Sequence, residues 1–297
     1  MRRGQRQKVR VLTSSGVAGP NQIISAAYAS AAIFSWGTSD FLGGYCTRRA
    51  NAFLFTAIVN VGGLVLVGIL ACASGTPFPS PGNAAWVLAG GMSGGMGLAI
   101  FYRALSSGKM GLTAPVAAVL GAAIPTLFSI FTEGMPGVTP LIGFACAAIG
   151  LWLITRTDNG LAAEGIGLAV LAGIGFSGFY LGVRQAGDAS VYWIALLSRC
   201  GGLLITGIIA LSQRRFKEID ARGVYWALFT GCLDSLGTLL FIRASQTGRL
   251  DKAVVISSLY PAVTVILARV VLKEQFSRWK VVGLVMALAA VPMIAGG

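Results

Sequence analysis

Four charged side chains stand where an apolar chain should carry none. Asp40, Arg199, Asp234 and Arg269 each interrupt an otherwise uncharged stretch, over residues 23–45, 189–213, 223–242 and 253–272. A charge at the centre of a membrane helix costs about 2.5–3.5 kcal/mol on insertion scales, so such groups persist by pairing or by lining a water-filled cavity. Arg199 and Asp234 fall near the middles of consecutive stretches and can meet at the midplane. They form either a structural salt bridge or a cavity pair that opens on substrate binding or titrates. Asp234 lies between Thr230 and Thr238 at spacings of four, a polar stripe on one helix face with Phe241 close to it. We expect Asp234 to be a coupling carboxylate or a cation-binding group. Burial and a nearby Arg pull its protonation in opposite directions, and the sequence leaves that balance open. Asn60 is a further polar residue in an apolar run. Asp40 follows Trp36 by one turn and either touches substrate or sits solvated near an interface. Arg269, one turn before Lys273, is expected to snorkel to the membrane surface.

Aromatic and broken places form a second group. Trp36, Phe176, Phe179 and Tyr180 serve either as interfacial anchors or as a cavity wall. Ser257, Ser258, Tyr260 and Thr264 bracket Pro261. A proline there removes one helical hydrogen bond, and polar neighbours or water can fill the gap. Pro115 and Pro125 are expected to act likewise. Gly90, Gly91, Gly94, Gly95, Gly178 and Gly182 form small-residue pairs at spacings of four, suited to close helix packing.

Composition excludes much other chemistry. The chain has 297 residues, 55% of them hydrophobic and 11% charged, with no His. Triads and zinc or haem sites built on His are therefore out. The formal charge is +13, but a chain this apolar points to lipid rather than nucleic acid. The 5 Cys have no metal or redox spacing and read as reduced apolar residues. No cofactor and no metal is expected.

These residues need elements to hold them. A spanning helix takes roughly 20 apolar residues. Spans are predicted over 24–45, 52–72, 84–104, 111–131, 138–155, 165–184, 190–211, 223–243, 252–272 and 280–296. The chain also repeats itself. Asn60-Val-Gly-Gly-Leu-Val-Leu-Val-Gly-Ile-Leu-Ala71 falls on Arg199-Cys-Gly-Gly-Leu-Leu-Ile-Thr-Gly-Ile-Ile-Ala210, and Phe101-Tyr-Arg-Ala falls on Phe241-Ile-Arg-Ala. Phe34-Ser35 echoes Phe176-Ser177, Lys109 faces Arg249, and Glu133 answers Glu274. The predicted fold is thus all-α and integral to the membrane: ten transmembrane helices as two inverted-topology five-helix repeats, at 23–155 and 164–297, after a basic tail at 1–22. An odd number of spans per repeat forces the second to enter from the opposite side, a common build of secondary transporters.

With Trp36-Gly37, Tyr102-Arg103-Ala104-Leu105, Leu259-Tyr260-Pro261, Leu272-Lys273-Glu274 and Gly283 in this order, the chain resembles the drug/metabolite transporter superfamily, in its ten-helix EamA branch. It departs from that pattern by carrying Gly121 where the first repeat should match Pro261, with Pro125 beyond it. The resemblance implies export of small metabolites or drugs. Basic residues alone leave orientation open, and the resemblance implies both ends in the cytoplasm and residence in the plasma (inner) membrane. The expected function is secondary active export of small metabolites, amino acids or related amphipathic compounds, by alternating access. Partners are the small-molecule substrate, membrane lipid and a coupling ion such as a proton, in a monomer or homodimer. Alternatives are a flippase or a sugar or cation permease on the same fold, and a membrane-embedded enzyme. The expected cavity residues are Trp36, Asp40, Asn60, Phe176, Tyr180, Arg199, Thr230, Asp234, Thr238, Ser258 and Tyr260.

Overall fold

The structure, a computed structural model, describes residues 20–106, 110–155, 166–214, 219–272 and 277–296. The basic tail, Lys109, Lys273 and Glu274 lie outside them. Among the described residues every regular element is an α-helix: α1 (Pro20–Cys46), α2 (Ala52–Ala73), α3 (Pro81–Ser106), α4 (Met110–Glu133), α5 (Val138–Thr155), α6 (Ile166–Gln185), α7 (Val191–Gln213), α8 (Ala221–Thr247), α9 (Leu250–Ser257), α10 (Tyr260–Leu272) and α11 (Arg278–Gly296).

The polar punctuation between apolar runs sets these boundaries. The Asn51 side chain accepts hydrogen bonds from the backbone N–H groups of Phe53 and Leu54 at 3.0 and 3.1 Å, capping α2, and Asp220 caps α8 through the Gly223 N–H at 2.7 Å. Such caps satisfy donors that a helix start leaves free. Pro81 opens α3, where its missing N–H costs nothing. Gly134, with φ of 85°, ends α4 in the left-handed region that favours glycine.

Seven segments are long and apolar enough to cross a membrane: α2, α3, most of α4, α6, α7, α8 and α9–α10 together. The chain is a multi-pass membrane protein. Its outer faces carry large exposed apolar side chains such as Ile69, Phe131, Leu211 and Val270, which lipid rather than water must cover.

The predicted ninth span is not one rod. It breaks at Ser258–Leu259, and the corner is bridged by Leu259 N–H to Ile256 O at 3.1 Å and Ala262 N–H to Leu259 O at 2.9 Å. Pro261 cannot supply the donor that would join α9 to α10. The matching expectation for α4 is corrected: this helix runs unbroken through Pro115 and Pro125. Pro125 cannot donate to the Gly121 carbonyl, four residues back. The Ser177 hydroxyl of α6, 3.0 Å from Gly173 O of its own helix, also lies within reach of that carbonyl at 3.3 Å and of Leu120 O at 3.2 Å.

Helices pack in matched sets. α3 lies against α6 and α7, while α8 lies against α1 and α2; α2 meets α7, α5 meets α11, and α4 meets α6 as α10 meets α1. Glycine permits the closest of these approaches. A Cβ at Gly91 on α3 would land on the Ser198 backbone of α7, and one at Gly62 on α2 would land on Leu228 O of α8. At one end of the bundle Arg249, before α9, donates to Glu133 O and Gly134 O at 3.2 and 2.8 Å and to Asp251 Oδ2 at 2.9 Å. The hydrogen bond that Arg249 donates to Asp251 raises the Arg249 pKa above its ordinary value, so the tie keeps its charge. Beside it, Arg184 bridges to Glu133 at 2.8 Å.

Candidate functional site

A cavity of about 600 Å³, open mouth included, lies at the centre of this bundle. Trp36 and Asp40 reach it from α1, Asn60 from α2, Phe176 and Tyr180 from α6, Arg199 from α7, Asp234 and Thr238 from α8, and Tyr260 from α10. The sequence had marked all of these. Thr230 and Ser258 do not line it. Thr230 is buried on the α8 stripe, one turn before Asp234, and its hydroxyl has no hydrogen-bond partner. Ser258 is buried at the α9–α10 break.

Arg199 and Asp234 do meet. The guanidinium Nη1 contacts Asp234 Oδ2, and Nη2 donates to Thr238 Oγ1 at 2.6 Å. Thr238 in turn donates to the Asp234 carbonyl at 3.0 Å, which also accepts the Trp36 indole N–H at 3.2 Å. The polar stripe of α8 is therefore tied to both α7 and α1. Among the described residues, the Nε of Arg199 finds no hydrogen-bond partner. A buried pair of this kind offsets a large desolvation cost only when further hydrogen bonds hold it, and Thr238 supplies one. Asn60 donates to Thr56 O of its own helix at 3.0 Å and leaves its side-chain oxygen against Gly202.

Asp40 is buried, 5% exposed, so its interfacial, solvated reading does not hold. It forms no hydrogen bond or ion pair among the described residues, and it shares its cavity with Asp234. Arg269 sits half-buried in the last turn of α10, away from the cavity.

The aromatic residues form a wall rather than an interfacial belt. Trp36 stands 5.5 Å from Phe241, 6.2 Å from Tyr180 and 6.3 Å from Tyr260, ring centre to ring centre. Phe101 extends the wall, 5.5 Å from Phe176 and 6.3 Å from Tyr260. Such pairs each contribute about 0.5–1.5 kcal/mol beyond simple burial. Phe101 had shown only as the repeat partner of Phe241, itself noted beside the polar stripe; that identity was the signal for a shared role. Gly91, Gly94, Gly95, Leu98 and Ser198 also line the cavity. Nothing in their types announces this, because glycines at helical spacing serve close packing equally well. Among the described residues no three His, Cys, Asp or Glu come together as metal ligands.

The whole architecture is shared with a solved protein crystal structure: the two superpose with a TM-score of 0.70 over 91% of this chain and 95% of the other, at 19% sequence identity. An uncharacterized protein of Methanocaldococcus jannaschii is 25% identical over 130 residues, which is 44% of this chain and 93% of that relative. Residues 163–296 match the model of the EamA-like transporter family. That matched stretch supplies Arg199, Asp234 and Tyr260 to the cavity.

Proposed function

We propose that the protein is a secondary active transporter of the plasma membrane that exports small amphipathic metabolites, amino acids among them, by alternating access. One observation carries this reading: the central cavity takes its wall from both halves of the chain, α1–α3 on one side and α6–α8 with α10 on the other. A cavity walled by both halves of a chain opens to either side when one half rocks against the other.

The ten predicted spans fit two five-helix repeats of inverted topology, 23–155 and 164–297. The matched packing sets support this arrangement, since the most extensive contacts between the halves have counterparts under exchange of the repeats: α1 on α8 answers α6 on α3, and α2 on α8 answers α7 on α3. The relative matched over 130 residues, 93% of its own length, is itself about the size of one repeat.

For energy we assign a proton gradient. With no His in the chain, we assign the proton to a carboxylate, Asp234. Its surroundings are Arg199 from α7, Asp40 from α1, Tyr102 from α3, Tyr180 from α6 and Tyr260 from α10. Protonation of Asp234 releases the Arg199 bridge that ties α7 to α8, two helices of the same repeat. That changes the charge at the cavity wall without breaking the bundle.

The test is counterflow in liposomes reconstituted with the purified protein, against a panel of amino acids, sugars and lipophilic cations. Accelerated exchange of a labelled solute supports a carrier, and the responding class separates metabolite export from a sugar or lipid carrier. Absence of exchange for every solute overturns the reading. Transport by Asp234→Asn that remains fully dependent on a proton gradient removes Asp234 from coupling.

A further inference from the structure

We propose that the break between α9 and α10 binds a monovalent alkali cation, held by backbone carbonyls that the break sets free and by the hydroxyl of Ser257. The site goes beyond the transporter reading above and is tested without measuring transport.

The carbonyls come first. In a continuous helix each one accepts from the N–H four residues on. Here Leu259 N–H turns to Ile256 O at 3.1 Å and Ala262 N–H turns to Leu259 O at 2.9 Å, each three residues back instead of four. Pro261 has no N–H to give. Val255 O, Ser257 O and Ser258 O therefore lose the donors that an unbroken span would bring them. They stand at the C-terminal end of α9, where aligned peptide dipoles favour a positive charge.

Hydroxyls give a second, independent sign. Elsewhere in the bundle a buried hydroxyl bonds to its own helix one turn back: Thr56 to Ala52 O at 2.7 Å, Ser198 to Ile194 O at 2.8 Å and Thr206 to Gly202 O at 2.6 Å. Ser257 is fully buried, yet its hydroxyl has no hydrogen-bond partner among the described residues. The same holds for the buried hydroxyls of Thr126 and Ser129 on α4. α4 packs along α9, and Arg249 ties the start of α9 to the end of α4 through Glu133 O and Gly134 O, so the two helices run antiparallel. Ser257 lies eight residues after Arg249, and Thr126 lies eight before Gly134, each about 12 Å along its helix. Thr126 is thus level with Ser257, and Ser129 is one turn nearer the tie. Buried polar groups left in this way are costly, and proteins satisfy nearly all of them, with water or an ion where no side chain reaches.

The oxygens select the ion. Carbonyls only accept, and a single water brings two hydrogens, whereas a cation draws on lone pairs of carbonyl and hydroxyl alike. Hard divalent cations take six or more oxygens with carboxylates among them. The acidic residues of these two helices, Glu133 and Asp251, sit at the Arg249 tie instead. Softer metals want sulfur or imidazole, and neither α4 nor α9 carries Cys or His. A monovalent ion that accepts neutral oxygens fits what remains. Broken helices of transporters present their carbonyl ends to such ions. Entry is from the cavity: the Ser258 hydroxyl lies beside that of Tyr180, and both Tyr180 and Tyr260 line the cavity.

The experiment melts the full-length protein in detergent in sodium chloride, potassium chloride and N-methyl-D-glucamine chloride at equal ionic strength. A ligand that binds only the folded chain raises the melting temperature with its concentration. Sodium or potassium should do so, and the bulky organic cation should not. Scintillation proximity with radioactive sodium, or with rubidium standing in for potassium, should saturate at one ion per chain. We expect Ser257→Ala to lose tenfold or more of that affinity and Ser257→Thr to keep most of it. Pro261→Ala, which returns a backbone donor to Ser257 O, should lose it too. Because these variants can fail to fold, the binding measured on the unaltered chain is a separate test. No saturable binding of either ion, with equal melts in the three salts, means that the break holds water only and overturns the proposal. Binding that persists undiminished in folded Ser257→Ala and Pro261→Ala puts the ion elsewhere and also overturns it. Counterflow plays no part here, so its absence overturns the transporter reading and leaves this site standing.

Discussion

The two halves of the chain present the same stretch of helix to the cavity and fill it differently. Under the repeat offset, Thr230, Asp234 and Thr238 of α8 correspond to Gly90, Gly94 and Leu98 of α3, and Arg199 of α7 corresponds to Asn60 of α2. Asp234, Thr238, Gly94, Leu98, Arg199 and Asn60 all line the cavity. Along these matched helices, α7 and α8 supply the ion pair and its hydrogen bond to Thr238, and α3 supplies room. A Cβ at Gly94 would stand 2.9 Å from Phe179 Cβ, so the missing side chain is what lets the aromatic wall close in. By contrast, glycines that bring helix backbones together occur in both halves, for example Gly62 and Gly201. Packing constrains both copies equally, whereas the cavity needs only one ion pair, so the copies differ where they meet the cavity.

The largest test of this comparison is to strip the charged side. Arg199→Met leaves Asp234 buried without its cation and should cost about 3–5 kcal/mol, the usual penalty for breaking a buried pair. Thermal unfolding in detergent measures it. The double variant Arg199→Met with Asp234→Leu should recover most of the stability and none of the transport. If the single variant melts like the unaltered protein, the pair is not holding α7 to α8.

Crowding the roomy side comes next. Gly91→Leu forces a side chain onto the Ser198 backbone, and overpacking of this kind costs about 1–3 kcal/mol. Gly94→Ala meets a side chain rather than backbone, so it should cost less in the same melt while lowering counterflow. Equal losses from the two variants would mean that packing, not cavity shape, explains Gly94.

The two proline-bearing helices sharpen the contrast further. Ser177→Ala leaves the Gly121 carbonyl, already without a donor from Pro125, unsatisfied. We expect a loss of about 1 kcal/mol, reduced in the background of Pro125→Ala, which restores a backbone donor. Additive effects in that cycle would show that Ser177 does not stand in for the missing bond. The smallest effect belongs to the surface. Arg184→Gln removes the bridge to Glu133, whose Arg side chain is 42% exposed, and should change the melt by less than about 1 kcal/mol.

Much of this was legible in the residues because charge is scarce. At 11% charged residues, each buried ion stands out, and Arg199, Asp234 and Asp40 could be singled out without coordinates. The break at Pro261 was legible because a missing donor is a local fact. The continuity of α4 through Pro125 was not, since the hydroxyl within reach of the Gly121 carbonyl comes from Ser177 on α6, far away in sequence. Phe241 and Phe101 were visible as a repeated pair and not as part of a wall. Gly94 gave no sign of facing the cavity, because a glycine reads alike in a helix seam and at a cavity edge. Thr230 shared a face with Asp234 by periodicity, yet the cavity begins one turn farther along.

The sequence by itself determined that the chain is a helical membrane protein with a repeated plan and a few buried ions. Hydropathy, spacing and residue type act locally, and they are written along the chain. Which of those ions would be paired was decided only by the tertiary structure. Arg199 lies 35 residues before Asp234 and Asp40 lies on a third helix, so their distances are set by how α1, α7 and α8 pack. That packing gave Asp234 a cation and left Asp40 without one.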